Sequence, residues 1–214
     1  MIGDHLLIED KHRRIARELV AKLPDDPGST GDRLVVAIGG ESGSGKSEVA
    51  HELARALKSE GRPAKILHLD NYYRTSPTER EPWRRRHGME SIGDQEIDWP
   101  ELERHVAAFR AGGEATLPFI DLHNDSVDRL TTSFRDVRVL IIEGLYALRS
   151  PADLRILIEL TYRDTKAAQL ARGKETMDEF RWSVLEREHQ VVSTHRALAD
   201  LRIDREYRLL GGEH

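Results

Sequence analysis

Cysteine is absent from the 214-residue chain, which excludes disulfide bonds, thiolate metal ligands and a cysteine nucleophile. Long hydrophobic runs are also absent, since no apolar stretch approaches the roughly 18 residues that a membrane span needs. There is no basic excess either: the formal net charge is −5, which argues against broad contact with the backbone of a nucleic acid polymer. We therefore expect the partners to be small anions together with a metal ion, and neither a membrane nor a nucleic acid.

The N-terminal segment and the chain length indicate how the chain is organised. Charges are spread through the opening MIGDHLLIEDKHRRIAREL, which is unlike a secretory signal, so we expect a cytoplasmic protein. Residues 1–31 are expected to form an N-terminal helical extension, with a structural amphipathic helix from about Asp4 to Leu23. Residues 32–214 are expected to form a single domain, and assembly into a homo-oligomer is left open.

One glycine-rich stretch carries most of the functional information. Residues 39–47 read GGESGSGKS, which contains the pattern G-x-x-x-x-G-K-[ST]. Its glycines let backbone N–H groups turn toward an anion, and the helix that begins near Gly45 adds the positive end of its dipole. Lys46 can reach the β- and γ-phosphates of a nucleotide, and the Ser47 hydroxyl can ligate the Mg²⁺ that bridges them. The predicted nucleotide-binding residues are Gly40, Glu41, Ser42, Gly43, Ser44, Gly45, Lys46, Ser47 and Glu48.

The segments on either side fit this phosphate loop. Residues 34–38 read LVVAI, an apolar run typical of a strand buried on both faces. After the loop, apolar residues recur at helical spacing until Gly61–Arg62–Pro63. Strand, loop and helix therefore follow one another in the order that a phosphate site requires.

A second strand, predicted at residues 64–69, leads into Asp70–Asn71–Tyr72–Tyr73. Because ligands of open α/β sheets bind outside the carboxyl ends of the strands, we expect Asp70 to face the same crevice as the phosphate loop. Asp70 could take the proton from an attacking hydroxyl or hold that hydroxyl near the metal, although an aspartate can also cap a turn. Tyr72 and Tyr73 could line a pocket for a base or sugar, or fill the hinge.

Three later segments have weaker signals. Residues 75–99 lack periodicity and predict an irregular insertion on the substrate side, in which the run from Arg84 to His87 is either an anion grip or a solvated face. The polar cluster that includes Asp121, His123 and Arg129 favours contact with a polyhydroxylated substrate, or a plain polar loop, over a metal site. Residues 209–214 are expected to form a frayed tail.

A third strand is predicted at residues 137–144, VRVLIIEG, and it ends in a carboxylate followed by glycine. If this strand neighbours the first, Glu143 lies beside the phosphate loop and could hold Mg²⁺ directly or through water. The alternative is an exposed glutamate at a strand end. A later helix carries arginines that could fold over the transferring phosphoryl group, and Arg172 is the leading candidate among them.

With these residues in view, the chain resembles the uridine kinase and phosphoribulokinase branch of the P-loop kinases from about Leu34 to Ile203. The matching motifs are GESGSGKS, DNYY, Asp98–Trp99–Pro100, LIIEG and the late ADLRI. The resemblance implies an α/β fold of three layers, with a parallel five-stranded sheet, helices on both faces and a lid. It also implies that Asp70 engages the acceptor hydroxyl, that Glu143 is a carboxylate on the metal side, and that Arg172 is the lid arginine.

We therefore expect an ATP-dependent, Mg²⁺-requiring kinase that phosphorylates an alcohol, with a pyrimidine nucleoside as the leading acceptor. The segment after Pro118 reads FIDLHNDSVDR and departs from the uridine kinase pattern. Another alcohol, such as a sugar phosphate, a vitamin precursor or a hydroxy acid, is the alternative acceptor. An ATP-binding regulatory protein is a further alternative, although the N-K-x-D element of a guanine-specific switch is absent.

Overall fold

The computed structural model describes residues 6–24, 33–121, 126–166, 169 and 178–211. The main helices in these ranges are α1 (Asp10–Val20), α2 (Lys46–Ser59), α3 (Pro77–His87), α4 (Trp99–Arg110) and α5 (Glu179–Thr194). The strands are β1 (Leu34–Gly40), β2 (Ala64–His68), β3 (Glu114–Asp121), β4 (Ser126–Ser133), β5 (Val139–Glu143), β6 (Leu154–Ile158), β7 (Leu201–Ile203) and β8 (Leu209–Gly211).

Six strands form one sheet in the order β2-β5-β1-β6-β7-β8. The first five run parallel, which confirms the parallel five-stranded core that the sequence predicts. The sixth strand was not predicted, because residues 209–214 were expected to fray. Leu209 instead pairs with Ile203 in antiparallel register, which extends the sheet by one edge strand. Strands β3 and β4 form a separate antiparallel hairpin.

The sheet is covered on both faces, and β1 shows how its residues divide between them. Val35 and Ala37 pack in one hydrophobic cluster with α4 and the end of α5. Val36 and Ile38 pack in a second cluster with α1 and α2. Because successive side chains of a strand point to opposite faces, a fully apolar strand is required here. The apolar run at residues 34–38 is therefore a consequence of burial on both sides.

The N-terminal helix shares a core with the sheet. Helix α1 is shorter than the predicted span from Asp4 to Leu23, and its buried residues Ile15 and Leu19 belong to the same cluster as α2 and β1. None of the helices in the described part of the chain combines the length and the apolar character that crossing a membrane demands.

The segment at residues 75–99 is more regular than the sequence predicts. Pro77–His87 forms α3, which begins where the Ser76 hydroxyl accepts a hydrogen bond from the amide of Glu79. Proline at the first helical position suits this start, because its missing N–H would have no partner there. A buried ion pair between Arg84 of α3 and Glu96 then ties the helix to the rest of the segment. Helix α3 depends on these capping and tertiary contacts. Its sequence has no apolar periodicity from which a helix could be predicted.

Candidate active site

The phosphate loop lies between β1 and α2, as predicted. Gly43 and Gly45 adopt φ angles of +77° and +88°, a left-handed conformation that favours glycine. Gly45 is also the residue before α2, and it offers no side-chain cap to the first amides of that helix. Those amides and the helix dipole are therefore available to an anion. The Lys46 ammonium donates a hydrogen bond of 2.8 Å to the carbonyl of Glu41, so the lysine folds back across its own loop.

Two acidic side chains of the predicted nucleotide set are held by other parts of the protein. The buried Glu41 carboxylate accepts hydrogen bonds from the amide of Tyr162, at 2.7 Å, and from His189 Nδ1, at 2.6 Å. The buried Glu48 carboxylate accepts a hydrogen bond from the amide of Leu7 at 3.2 Å. These carboxylates fasten the loop and the start of α2 to their surroundings.

The strand register brings Glu143 to the phosphate loop. Glu143 ends β5, where it is aligned with Ile38 of β1 on one side and with His68 of β2 on the other. Its carboxylate accepts a hydrogen bond of 3.1 Å from the Ser47 hydroxyl through Oε2. Its other oxygen, Oε1, lies 2.6 Å from His68 Nδ1. The two residues predicted to hold a metal are therefore in direct contact.

The surroundings of Glu143 favour its ionised form. Burial by itself would raise the pKa of this carboxyl, but hydrogen bonds from His68 and Ser47 and the positive charge of Lys46 hold the pKa below its usual value. His68 was not identified from the sequence. The signal that could have found it is its position at the end of a strand, but the pairing with Glu143 depends on the sheet order.

Asp70 lies in the short 3₁₀ turn that follows β2. Burial raises the pKa of its carboxyl, and the negative charge of Glu143 adds to that effect, whereas the positive charges of Arg80, Lys46 and His68 oppose it. Lys46 and His68 act on both Asp70 and Glu143, so the structure brings Asp70 together with the phosphate loop and the Ser47–Glu143 pair.

The two tyrosines after Asp70 have different environments. Tyr72 is 2% exposed, and its hydroxyl lies 2.9 Å from His105 Nδ1. Tyr73 carries the guanidinium of Arg80 on its ring, 3.5 Å from the ring centroid. Only Tyr73 therefore presents a face toward a charged group beside Asp70.

Two other predicted substrate residues, Asp121 and Arg129, lie on the β3–β4 hairpin, whose Ile120 amide donates a hydrogen bond of 3.3 Å to Asn71 Oδ1, beside Asp70. Arg129 lies on the exposed strand β4 and forms an ion pair with Glu101 of α4. Asp121 ends β3, opposite Ser126. His123 and the lid candidate Arg172 fall outside the described residues.

Three of the four residues from Arg84 to His87 are engaged by other residues of the protein. Arg84 is buried, with Nε and Nη2 bound to Glu96 and Nη1 lying 3.1 Å from Glu188. Arg85 pairs with Glu81 and Asp178, and His87 stacks on Trp83. These contacts join α3 to its own segment and to α5.

The donor atoms beside the loop suit Mg²⁺. The described residues contain no group of three or more histidine, aspartate or glutamate side chains that could hold a metal by themselves. Ser47 and Glu143 supply a hydroxyl and a carboxylate, which are hard oxygen donors. Mg²⁺ is typically bound by one or two such groups and completed by water and substrate phosphates. The residues therefore fit a Mg²⁺ that arrives with a nucleotide.

Comparison with known proteins agrees with this geometry. The family model described as "Phosphoribulokinase / Uridine kinase family" matches residues 35–165. A bifunctional α-galactosidase/sucrose kinase of Mediterraneibacter gnavus is 24% identical over 194 residues, which are 84% of this chain but only 21% of that protein. The uridine kinase of Mycoplasma pneumoniae is 27% identical over 147 residues, which are 66% of this chain and 68% of that enzyme.

A solved structure shares the fold. The phosphoribulokinase of Rhodobacter spheroides superimposes with a TM-score of 0.64 at 16% identity, over 81% of this chain and 70% of that one. At this identity the likeness concerns the architecture alone.

Proposed function

The chain belongs to the phosphoribulokinase/uridine kinase family, and we propose that it transfers the γ-phosphoryl group of ATP to a hydroxyl group of a small molecule. The observation that carries the proposal is the meeting of Lys46, Ser47, Glu143 and Asp70 at the carboxyl ends of three neighbouring strands. A cation, a pair of hard oxygen donors and a carboxylate base are the parts that phosphoryl transfer to an alcohol needs.

The phosphate loop holds the nucleotide in this proposal. The backbone amides between Gly40 and Lys46 and the start of α2 bind the phosphates, and the Lys46 ammonium leaves the Glu41 carbonyl to reach the β- and γ-phosphates. Ser47 and Glu143 would hold Mg²⁺, which when bound would neutralise part of the charge on the phosphates. The lowered pKa of Glu143 keeps this carboxylate ionised for that role.

Asp70 acts on the acceptor. The acceptor oxygen attacks the γ-phosphorus, the bond from that phosphorus to the β–γ bridging oxygen breaks, and ADP leaves. The proton of the acceptor hydroxyl passes to the carboxylate of Asp70. Because burial raises the pKa of this carboxyl, Asp70 is a stronger base than an exposed aspartate. Arg172 stays the predicted group that closes over the transferring phosphoryl.

The identity of the acceptor is the finer part of the proposal. A pyrimidine nucleoside stays the sequence-based prediction. Two of the side chains predicted to bind it have partners within the protein, since Tyr72 contacts His105 and Arg129 pairs with Glu101. Other alcohols are therefore tested beside uridine and cytidine.

The experiment is ADP release from Mg-ATP with a panel of alcohols: uridine, cytidine, neutral sugars, sugar phosphates and hydroxy acids. We expect release that depends on one class of alcohol and that falls about 10²–10⁴-fold in Asp70→Asn, as is typical when an acid–base group is lost. Lys46→Met should abolish it. Asp136→Asn, an exposed aspartate between β4 and β5, is the matched control and should leave the rate unchanged. ADP release that ignores every alcohol, or an Asp70→Asn variant with full activity, would contradict the proposal.

A further inference from the structure

Arg80 of α3 is a half-buried arginine whose guanidinium is only partly satisfied by the part of the chain that the structure describes. Its Nε and one terminal nitrogen, Nη2, are buried, and neither has a hydrogen-bond partner among the residues that the structure describes. An unmet hydrogen bond of a buried charged group is costly, so such groups are normally paired. A cation of this kind therefore needs a partner from outside the described chain.

Arg84, one helical turn later, shows what a satisfied arginine looks like on the same helix. Its guanidinium is buried, and each of its three nitrogens contacts a carboxylate of Glu96 or Glu188. The two arginines therefore differ in role. Arg84 stabilises the segment, and Arg80 has hydrogen-bond donors available for a ligand.

The position of Arg80 indicates where its partner would lie. Its guanidinium rests on the ring of Tyr73, and among charged groups it exerts the largest effect on Asp70. In the described structure Arg80 and Asp70 nevertheless form no direct ion pair. Arg62 also has two buried unpartnered nitrogens, but it precedes β2, at the opposite end of the strand from Asp70. Arg181 and Arg187 each have one such nitrogen, and both already form ion pairs, with Glu188 and Glu90. Of these arginines, Arg80 is the one beside the proposed base.

Stacking on Tyr73 holds the guanidinium in one plane. A guanidinium fixed in this way presents parallel N–H donors that match the oxygens of a carboxylate or phosphate. Because Arg80 neighbours Asp70, one small molecule could bring an anionic group to Arg80 and a hydroxyl to Asp70.

We propose that Arg80 binds an anionic group of the acceptor, so that the acceptor is an alcohol that also carries a phosphate or a carboxylate. The proposal rests on the function proposed above and names its substrate class. It assigns to Arg80 the anion grip that the sequence suggested for residues 84–87.

The test uses pairs of alcohols that differ only in the anionic group: ribose 5-phosphate against ribose, and D-glycerate against glycerol. Binding of each to the protein with Mg-ADP is measured by calorimetry, so the readout does not require turnover. We expect an anionic member to bind and its neutral counterpart not to bind. The first pair reports on phosphate, and the second on carboxylate.

Three variants identify the residue responsible. Arg80→Gln should weaken binding of the anionic alcohol about 10- to 100-fold, as for loss of charge-assisted hydrogen bonds, with the affinity for ATP unchanged. Arg80→Lys keeps the charge without the planar fork and should give an intermediate loss. Arg86→Gln removes an exposed arginine from the same helix and should have no effect. If Arg80→Gln does not fold, the affinity of Arg80→Lys for the anionic alcohol tests the proposal by itself.

The proposal is overturned if ribose and glycerol bind as tightly as their anionic counterparts, or if neither anionic alcohol binds. It is equally overturned if both Arg80 variants bind the anionic alcohol as tightly as the wild type does. It is also overturned if the variants lose affinity for ATP instead, since that result would assign Arg80 to nucleotide binding. A failure of the kinase proposal looks different: no alcohol then stimulates ADP release, while calorimetry still reports whether an anion binds through Arg80.

Discussion

The hydroxyl of Tyr207 donates a hydrogen bond to the main-chain carbonyl of Ser44, inside the phosphate loop. Tyr207 belongs to the turn between β7 and β8, and its ring packs edge-on against His12 of α1, with 5.2 Å between the ring centroids. A Cβ on Gly45 would collide with the Tyr207 hydroxyl. The first helix of the described chain and the turn between β7 and β8 therefore meet at the phosphate loop.

Tyr207→Phe should weaken ATP binding. It removes one hydrogen bond that fixes the loop backbone, and a typical hydrogen bond contributes about 0.5–1.5 kcal/mol, so we expect the dissociation constant for ATP to rise about 2- to 10-fold. Calorimetry with Mg-ATP measures this directly.

Tyr146→Phe is the matched control. The Tyr146 hydroxyl is buried and has no hydrogen-bond partner among the described residues, so its removal should leave ATP binding unchanged and stability equal or higher. Equal ATP affinities in the wild type and Tyr207→Phe would mean that the tyrosine does not shape the loop.

Asp70→Asn should stabilise the protein while it removes activity. Folding raises the pKa of Asp70 above its ordinary value of 3.8, so between these two values the folded state binds more protons than the unfolded chain. This contribution to the free energy of unfolding is complete below the ordinary pKa and is lost as the pH rises through the raised one. The asparagine variant escapes that loss.

The stability advantage of Asp70→Asn should therefore grow with pH across that window and then stay constant. Urea unfolding of both proteins from acidic to mildly alkaline pH measures it, with Asp136→Asn as an exposed control that should show no such trend. An advantage that shrinks with rising pH would contradict the raised pKa.

His68→Leu should weaken Mg²⁺ binding to the protein–ATP complex. His68 orients Glu143 by a hydrogen bond, and loss of a group that orients a metal ligand typically costs about 10- to 100-fold in metal affinity. His68→Asn can still donate a hydrogen bond near the position of Nδ1 and should recover most of the affinity. Titration with Mn²⁺, followed by electron paramagnetic resonance, provides the measurement, and equal weakening in both variants would assign His68 to packing alone.

Arg84→Met should destabilise the protein strongly. The variant leaves Glu96 and Glu188 buried without their shared cation, and breaking a buried ion pair from one side typically costs about 3–5 kcal/mol. Arg86→Met, an exposed neighbour, should change the free energy of unfolding by less than about 0.5 kcal/mol. Urea unfolding distinguishes the two, and similar values would show that the cluster contributes little.

Features set by local sequence were predictable. The phosphate loop is specified by eight consecutive residues, and β1 and β5 by apolar runs, so their positions and the carboxylate at the end of β5 followed from the sequence alone. The sequence also predicted that Glu143 would lie beside the loop if its strand neighbours the first, and the pairing of β5 with β1 meets that condition.

Features set by distant contacts were not predictable. Helix α3 lacks an apolar stripe and contains Pro82, and its formation depends on the Ser76 cap and on the partners of Arg84. Without that helix, Arg80 and Arg84 look alike in the sequence, although one is satisfied by acids and the other is not. His68 required knowledge that β2 pairs with β5.

The position of β1 in the middle of the sheet also governs when the protein can become functional during its synthesis. Leu34 pairs with Val139 and Val36 with Leu154, so both neighbours of β1 emerge from the ribosome long after it does. Pairings of such long sequence separation form slowly, because loop closure precedes the contacts that reward it. A nascent chain therefore contains the complete phosphate-loop motif before the strands on either side of β1 exist, and under the proposed function ATP would stabilise only the chains whose sheet is complete.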